Sequence, residues 1–210
     1  MTPMELIMEQ KVVAVIRGAD KRSIAPILEA LSSGGINVVE ITAETPNVRG
    51  VIETAVKQMG KEMCIGAGTV LDPETAKDML MAGAEFIVSP VLNTKTLALT
   101  NRYNVLNIPG VMTPTEILTA YEHGAKMVKI FPANTFGPHY IKNILGPLPY
   151  VKAMVTGGIT IENMNDYLAK GAEAVGIGSS LVNAKALETN EDFKQLTAKA
   201  KSFVAKLDER

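Results

Sequence analysis

Lys129 lies in the run Met127-Val128-Lys129-Ile130-Phe131, which ends at Pro132. The run reads as a buried strand, a setting in which an ammonium has no structural reason to be. Alternation puts Lys129 on one face with Met127 and Phe131, and Val128 and Ile130 on the other, so neither face supplies water. In general, desolvation or a neighbouring cation turns such an amine into a nucleophile that forms a Schiff base with a carbonyl compound. Glu40, in Val38-Val39-Glu40-Ile41-Thr42, offers the matching acid and base. Two plainer readings compete: a lysine near a strand end that snorkels out beside a carboxylate, and a purely structural ion pair between Lys129 and Glu40. A buried pair is often no more stabilising than apolar packing, which makes chemistry the better reason to keep one.

The elements that must position these residues follow a repeating pattern. Eight apolar, β-branched runs read as strands: Val12–Ile16, Val38–Thr42, Cys64–Thr69, Phe86–Ser89, Val105–Pro109, Met127–Phe131, Ala153–Thr156 and Ala174–Gly178. Each is followed by a helical segment: Ile24–Ser33, Val48–Met59, Pro73–Ala82, Thr94–Arg102, Pro114–Glu122, Tyr140–Ile144, Ile161–Lys170 and Asp192–Leu207. Asp72-Pro73 and Thr113-Pro114 pair a capping residue with a proline suited to the first helical position. Continuously apolar strands alternating with helices imply a parallel sheet covered on its faces. The expectation is α/β architecture, a single (β/α)8 TIM barrel domain over residues 1–210, with a short N-terminal helix at about 1–10. An open doubly wound sheet fits less well, because no Gly-x-Gly-x-x-Gly follows the first strand.

In such a barrel the active site lies at the C-terminal strand ends. Arg17, Glu40, Thr42, Thr69, Ser89-Pro90, Lys129 and Thr156 fall there. Arg17 shares a face with Val13 and Val15, Glu40 with Val38 and Thr42, and Thr69 with Ile65 and Ala67. If those faces point inward, Arg17, Glu40, Thr69 and Lys129 converge on one cavity. Thr156-Gly157-Gly158-Ile159 after the seventh strand, and Gly176-Ile177-Gly178-Ser179-Ser180 at the eighth, occupy the loops that often bind phosphate through backbone N–H groups.

The composition narrows the partners. With 21 basic and 22 acidic residues there is no basic stripe for nucleic acid and no acidic tail. One cysteine and two histidines make a poor metal site and exclude an internal disulfide, which fits the cytoplasm. Glu5 and Glu9 break the N-terminal segment as a secretory signal, and no run is long enough to cross a membrane.

Taken in order, Val13-Ala14-Val15-Ile16-Arg17, Val39-Glu40-Ile41-Thr42, Ile65-Gly66-Ala67-Gly68-Thr69-Val70, Val88-Ser89-Pro90, Ile108-Pro109-Gly110, Val128-Lys129-Ile130-Phe131-Pro132-Ala133 and Thr156-Gly157-Gly158-Ile159 resemble the 2-keto-3-deoxy-6-phosphogluconate (KDPG) and 4-hydroxy-2-oxoglutarate (KHG) aldolases, from about Val12 to Val182. The resemblance implies a metal-free, cofactor-free class I aldolase in which Lys129 forms the imine and Glu40 moves protons through bound water. The products would be pyruvate and either glyceraldehyde 3-phosphate or glyoxylate. It further implies that Thr69 holds the pyruvate carboxylate, Pro90 and Phe131 wall the imine, and Thr156 meets the substrate hydroxyls. Gly157, Gly158, Gly178, Ser179 and Ser180 would hold phosphate, Arg17 would add charge there or at the carboxylate, and the chain would be a homotrimer. Two positions depart from the family pattern. Glu44 stands where several members carry a carboxylate-gripping arginine, and Val91 where glycine commonly follows the proline. The galactonate epimer, a non-covalent phosphate-binding isomerase or decarboxylase, and a non-catalytic metabolite binder stay open on the residues alone.

Overall fold

In the computed structural model, which describes residues 1–209, the expected alternation is present, and Arg210 lies outside the described residues. The strands are β1 (Val12–Ile16), β2 (Val38–Thr42), β3 (Cys64–Gly68), β4 (Phe86–Val88), β5 (Leu106–Ile108), β6 (Gly110–Val111), β7 (Val128–Ile130), β8 (Ala153–Thr156) and β9 (Ala174–Ile177). They form one parallel sheet in the order β5-β4-β3-β2-β1-β9-β8-β7-β6.

Nine strands replace the expected eight because the run Val105–Pro109 does not stay whole. Proline has no N–H to donate, so the ladder breaks at Pro109. The two halves then serve opposite neighbours, β5 pairing with β4 and β6 with β7. The sheet therefore comes round to both sides of one broken strand, giving a nearly closed α/β barrel.

Helices α1 (Pro3–Gln10), α2 (Ile24–Ser33), α3 (Val48–Met59), α4 (Pro73–Met81), α5 (Thr94–Arg102), α6 (Pro114–Glu122), α7 (Pro138–Leu145), α8 (Met164–Ala169) and α9 (Asn190–Leu207) complete the chain. The expected caps are in place: Asp72 accepts from Thr75 N–H at 2.6 Å, and Thr113 and Glu116 form a reciprocal capping box. Helix α8 starts at Met164 rather than Ile161. Asn163 accepts from Thr160 N–H at 2.9 Å and donates to the Gly158 carbonyl at 2.9 Å, holding residues 158–163 as a turn.

Strand alternation divides the apolar residues into two cores. Ile16, Ile41, Ile65, Ile87, Ile130 and Ile177 face outward against the helices. Val13, Val38, Cys64, Phe86, Met127, Met154 and Ala174 face inward, joined by Ile7 of α1. Phe86 is fully buried and alone contributes about 1.5–3 kcal/mol of hydrophobic stabilisation. This apolar plug fills the N-terminal part of the barrel. Two residues further along their strands, Val38 gives way to Glu40, Met127 to Lys129 and Met154 to Thr156, so polar side chains begin where the plug ends.

One parity expectation fails. Ile65 and Ala67 belong to the outer core and Cys64 to the inner one, so β3 presents Cys64, Gly66 and Gly68 to the interior. Thr69 follows the strand with a φ of 56°, a left-handed conformation that is costly for a β-branched residue.

Candidate active site

Lys129 and Glu40 meet inside the barrel. Val128 and Ile130 anchor β7 in the outer core, which turns Lys129 inward; Val39 and Ile41 do the same for Glu40 on β2. Lys129 Nζ lies 3.8 Å from Glu40 Oε1, with the side chains only 5% and 1% exposed. Glycine makes room for the carboxylate. A Cβ on Gly68 would come within 2.8 Å of Glu40 Cδ, so the bare β3 backbone is what the Glu40 side chain rests on.

Burial raises the Glu40 pKa above the usual carboxylate range, and the charges of Lys129 and Arg17 offset that only in part. Glu40 Oε2 has no hydrogen-bond partner among the described residues. A carboxylate with an elevated pKa, one free oxygen and a lysine beside the other can accept a proton and return it. Phe131 covers the amine on another side, its ring centroid 5.1 Å from Lys129 Nζ.

Of the remaining expected residues, Pro90 and Phe131 lie by this pair and the others, Thr69 apart, line an adjoining cavity. Gly110, the register partner of Lys129, lays its bare face against the Pro90 backbone, which places Pro90 beside the lysine strand. A cavity of about 970 Å³ opens next to the pair and is lined by Arg17, Thr156, Gly157, Gly158, Gly178, Ser179 and Ser180. Lys129, Glu40, Thr69, Pro90 and Phe131 do not line it. Thr156 lines the cavity, and its buried Oγ1, packed over the bare face of Gly176, has no hydrogen-bond partner among the described residues.

The two glycine loops are tied together, since Ser180 Oγ donates to the Ile159 carbonyl at 2.6 Å. That commits the Ser180 hydroxyl proton. Among the described residues the N–H groups of Gly158, Ser179 and Ser180 donate to no protein acceptor. They are the donors an anion in this cavity would meet.

Arg17 does not converge on Glu40 as its parity suggested. Its side chain is 64% exposed at the mouth and forms an ion pair with Glu44, which also lines the cavity. Arg17 reaches Glu40 only through its field.

Two further residues stand at the mouth with no local signal in the sequence. Thr45, 3% exposed, accepts from Gly18 N–H at 3.0 Å and pins the loop after β1; its neighbours carry no periodic signal. Lys185 lines the cavity from a 3₁₀ turn, Ala184–Ala186, five residues beyond the serine loop. Cys64 is not a nucleophile, for burial, aided by Glu85, pushes its thiol up to about 12. Among the described residues no helix is long and apolar enough to cross a membrane.

Comparison with known proteins points the same way as the geometry. Residues 4–199 match the family described as "Aldolase: KDPG and KHG aldolase". The chain is 35% identical over 195 residues to the 2-dehydro-3-deoxy-phosphogluconate aldolase of Pseudomonas aeruginosa, covering 91% of this chain and 86% of that protein. It is 34% identical over 173 residues to the 2-dehydro-3-deoxy-6-phosphogalactonate aldolase of Escherichia coli, covering 82% and 84%. Among solved structures, the KDPG aldolase of Legionella pneumophila, with pyruvate captured as a covalent carbinolamine, superposes with a TM-score of 0.88 at 32% identity, covering 96% of this chain and 97% of that one.

Proposed function

We propose, because this chain belongs to the KDPG and KHG aldolase family of carbon–carbon lyases, that it cleaves a 4-hydroxy-2-keto acid through a Schiff base on Lys129. The single observation that carries this reading is the buried Lys129–Glu40 pair at 3.8 Å. The lysine nitrogen attacks the C2 ketone to give a carbinolamine, which loses water to become an imine. Glu40 takes the proton from the C4 hydroxyl as the C3–C4 bond breaks. The bonding electrons pass into the imine, which is protonated on nitrogen, leaving a neutral enamine of pyruvate and a free aldehyde. Glu40 then returns its proton to C3, and hydrolysis of the pyruvyl imine frees Lys129.

The substrates that fit are KDPG and 4-hydroxy-2-oxoglutarate. The relative from Escherichia coli named for 2-dehydro-3-deoxy-6-phosphogalactonate supports the epimer as a second substrate. Thr69, Pro90 and Phe131 surround the pyruvyl part, Thr156 meets the hydroxyls, and the amides of Gly157, Gly158, Gly178, Ser179 and Ser180 face the phosphate. With Arg17 held by Glu44, carboxylate recognition falls chiefly to Thr69 and backbone donors. We assign the chain to the cytoplasm as a homotrimer, a reading supported by its single buried cysteine and by its family.

The test is a coupled assay that follows pyruvate release from KDPG, its galactonate epimer and 4-hydroxy-2-oxoglutarate. Release from at least one of them is expected. No release from any would overturn the reading.

A further inference from the structure

We infer that Lys185 is a phosphate-binding cation of this site and sets its preference for phosphorylated over unphosphorylated keto acids. The inference rests on the proposed aldolase reading and assigns to one further side chain the specificity of that site.

Three observations carry it. First, Lys185 is exposed in the same cavity as the glycine and serine loops. Its aliphatic stem crosses Gly18, where a Cβ would lie 3.3 Å from Lys185 Cε and 4.0 Å from its Cγ. Gly18 has a φ of 75°, and the missing side chain there keeps the lysine's path along the mouth open.

Second, the cavity's charges are unevenly committed. Its other cation, Arg17, is paired with Glu44, whereas among the described residues no carboxylate lies within ion-pair distance of Lys185. Lys185 is the cation left for a ligand.

Third, the donors sharing the cavity with it are the backbone amides of Gly158, Ser179 and Ser180, which have no protein acceptor among the described residues. Uncommitted amides and a flexible ammonium together suit a tetrahedral dianion that needs donors on several sides. A neutral sugar hydroxyl would gain little from Lys185.

The experiment titrates inorganic phosphate and glycerol 3-phosphate into the intact wild-type chain, Lys185→Met and Lys185→Arg, following binding by phosphorus NMR at two ionic strengths. Lys185→Met is expected to weaken both ligands about tenfold and to flatten the salt dependence, the scale of one charge-assisted contact at a partly exposed site. Lys185→Arg is expected to restore binding to within about threefold, which a purely structural role would not require. In parallel, the ratio of kcat/KM for KDPG to that for 2-keto-3-deoxygluconate is expected to fall about tenfold in Lys185→Met. The inference is overturned if Lys185→Met binds both ligands within about twofold of wild type, or if wild type binds neither. Binding is read without turnover, so failure of the aldolase reading shows separately, as absence of pyruvate release from a chain that still holds phosphate.

Discussion

Lys129 Nζ lies 3.8 Å from Glu40 Oε1 although β1, β9 and β8 stand between their strands around the sheet. The contact therefore crosses the barrel interior instead of running along its wall. A plug of Val38, Phe86, Met127 and Met154 lies on the N-terminal side of the pair and keeps it dry from below. Desolvation then acts on the Glu40 carboxylate, raising its pKa, and the proton transfer proposed for it depends on that.

Glu40 gives a signed pH dependence. Its folded pKa lies above the ordinary 4.5, with burial as the largest cause. As the proton acceptor it must be ionised, so kcat/KM should rise with pH through a limb displaced upward from 4.5. Glu40→Gln should remove that limb and lower kcat by about 10²–10⁴-fold. Stability follows the same linkage: a raised folded pKa means the native state binds the proton more tightly than the unfolded chain. That contribution is fully present below 4.5 and is lost as pH rises through the folded value. Urea midpoints measured across this range should fall with pH in wild type relative to Glu40→Gln.

Gly68 supports the carboxylate from β3. Gly68→Ala would bring a methyl group within 2.8 Å of Glu40 Cδ, forcing the side chain aside. The expected cost is about 1–3 kcal/mol of stability from overpacking. The sharper readout is kinetic: kcat should fall at least about tenfold while Lys129 still forms an adduct with pyruvate. Unchanged kcat would mean that the position of Glu40 is not set by this contact.

Glu44 restrains Arg17 at the mouth. Both side chains are substantially exposed, so Glu44→Gln should change stability by less than about 1 kcal/mol. Its effect should fall on binding. With Arg17 released, KM for an anionic keto acid should drop about threefold or more, and the drop should shrink at high salt. A rise in KM would instead place Glu44 in direct contact with substrate.

Lys129 and Glu40 were legible in the sequence because a charge between apolar β-branched neighbours has few structural explanations. The alternation of strands and helices was legible for the same reason, as was the end of the barrel that gathers polar residues. The facing of β3 was not, since Ile65-Gly66-Ala67-Gly68 carries small residues on one parity and apolar ones on the other, and either assignment looked inward. The glycines of that strand were the readable hint: they face in because Glu40 and Phe86 occupy the space. The break at Pro109 is written in the missing N–H, but a proline at a strand's end and one within a strand look alike until the neighbours are known. The pairing of Arg17 with Glu44 and the approach of Lys185 to Gly18 are tertiary. They join loops that no local pattern relates.

Every step proposed for the site runs through a covalent bond to Lys129. Incubation with pyruvate and borohydride, followed by digestion and mass spectrometry, should find a reduced pyruvyl adduct on the peptide carrying Lys129. Lys129→Met should show neither adduct nor turnover, and Glu40→Gln should keep the adduct while losing turnover. Absence of an adduct on Lys129 in the wild-type chain, or an adduct on another lysine with Lys129→Met still active, would contradict the account.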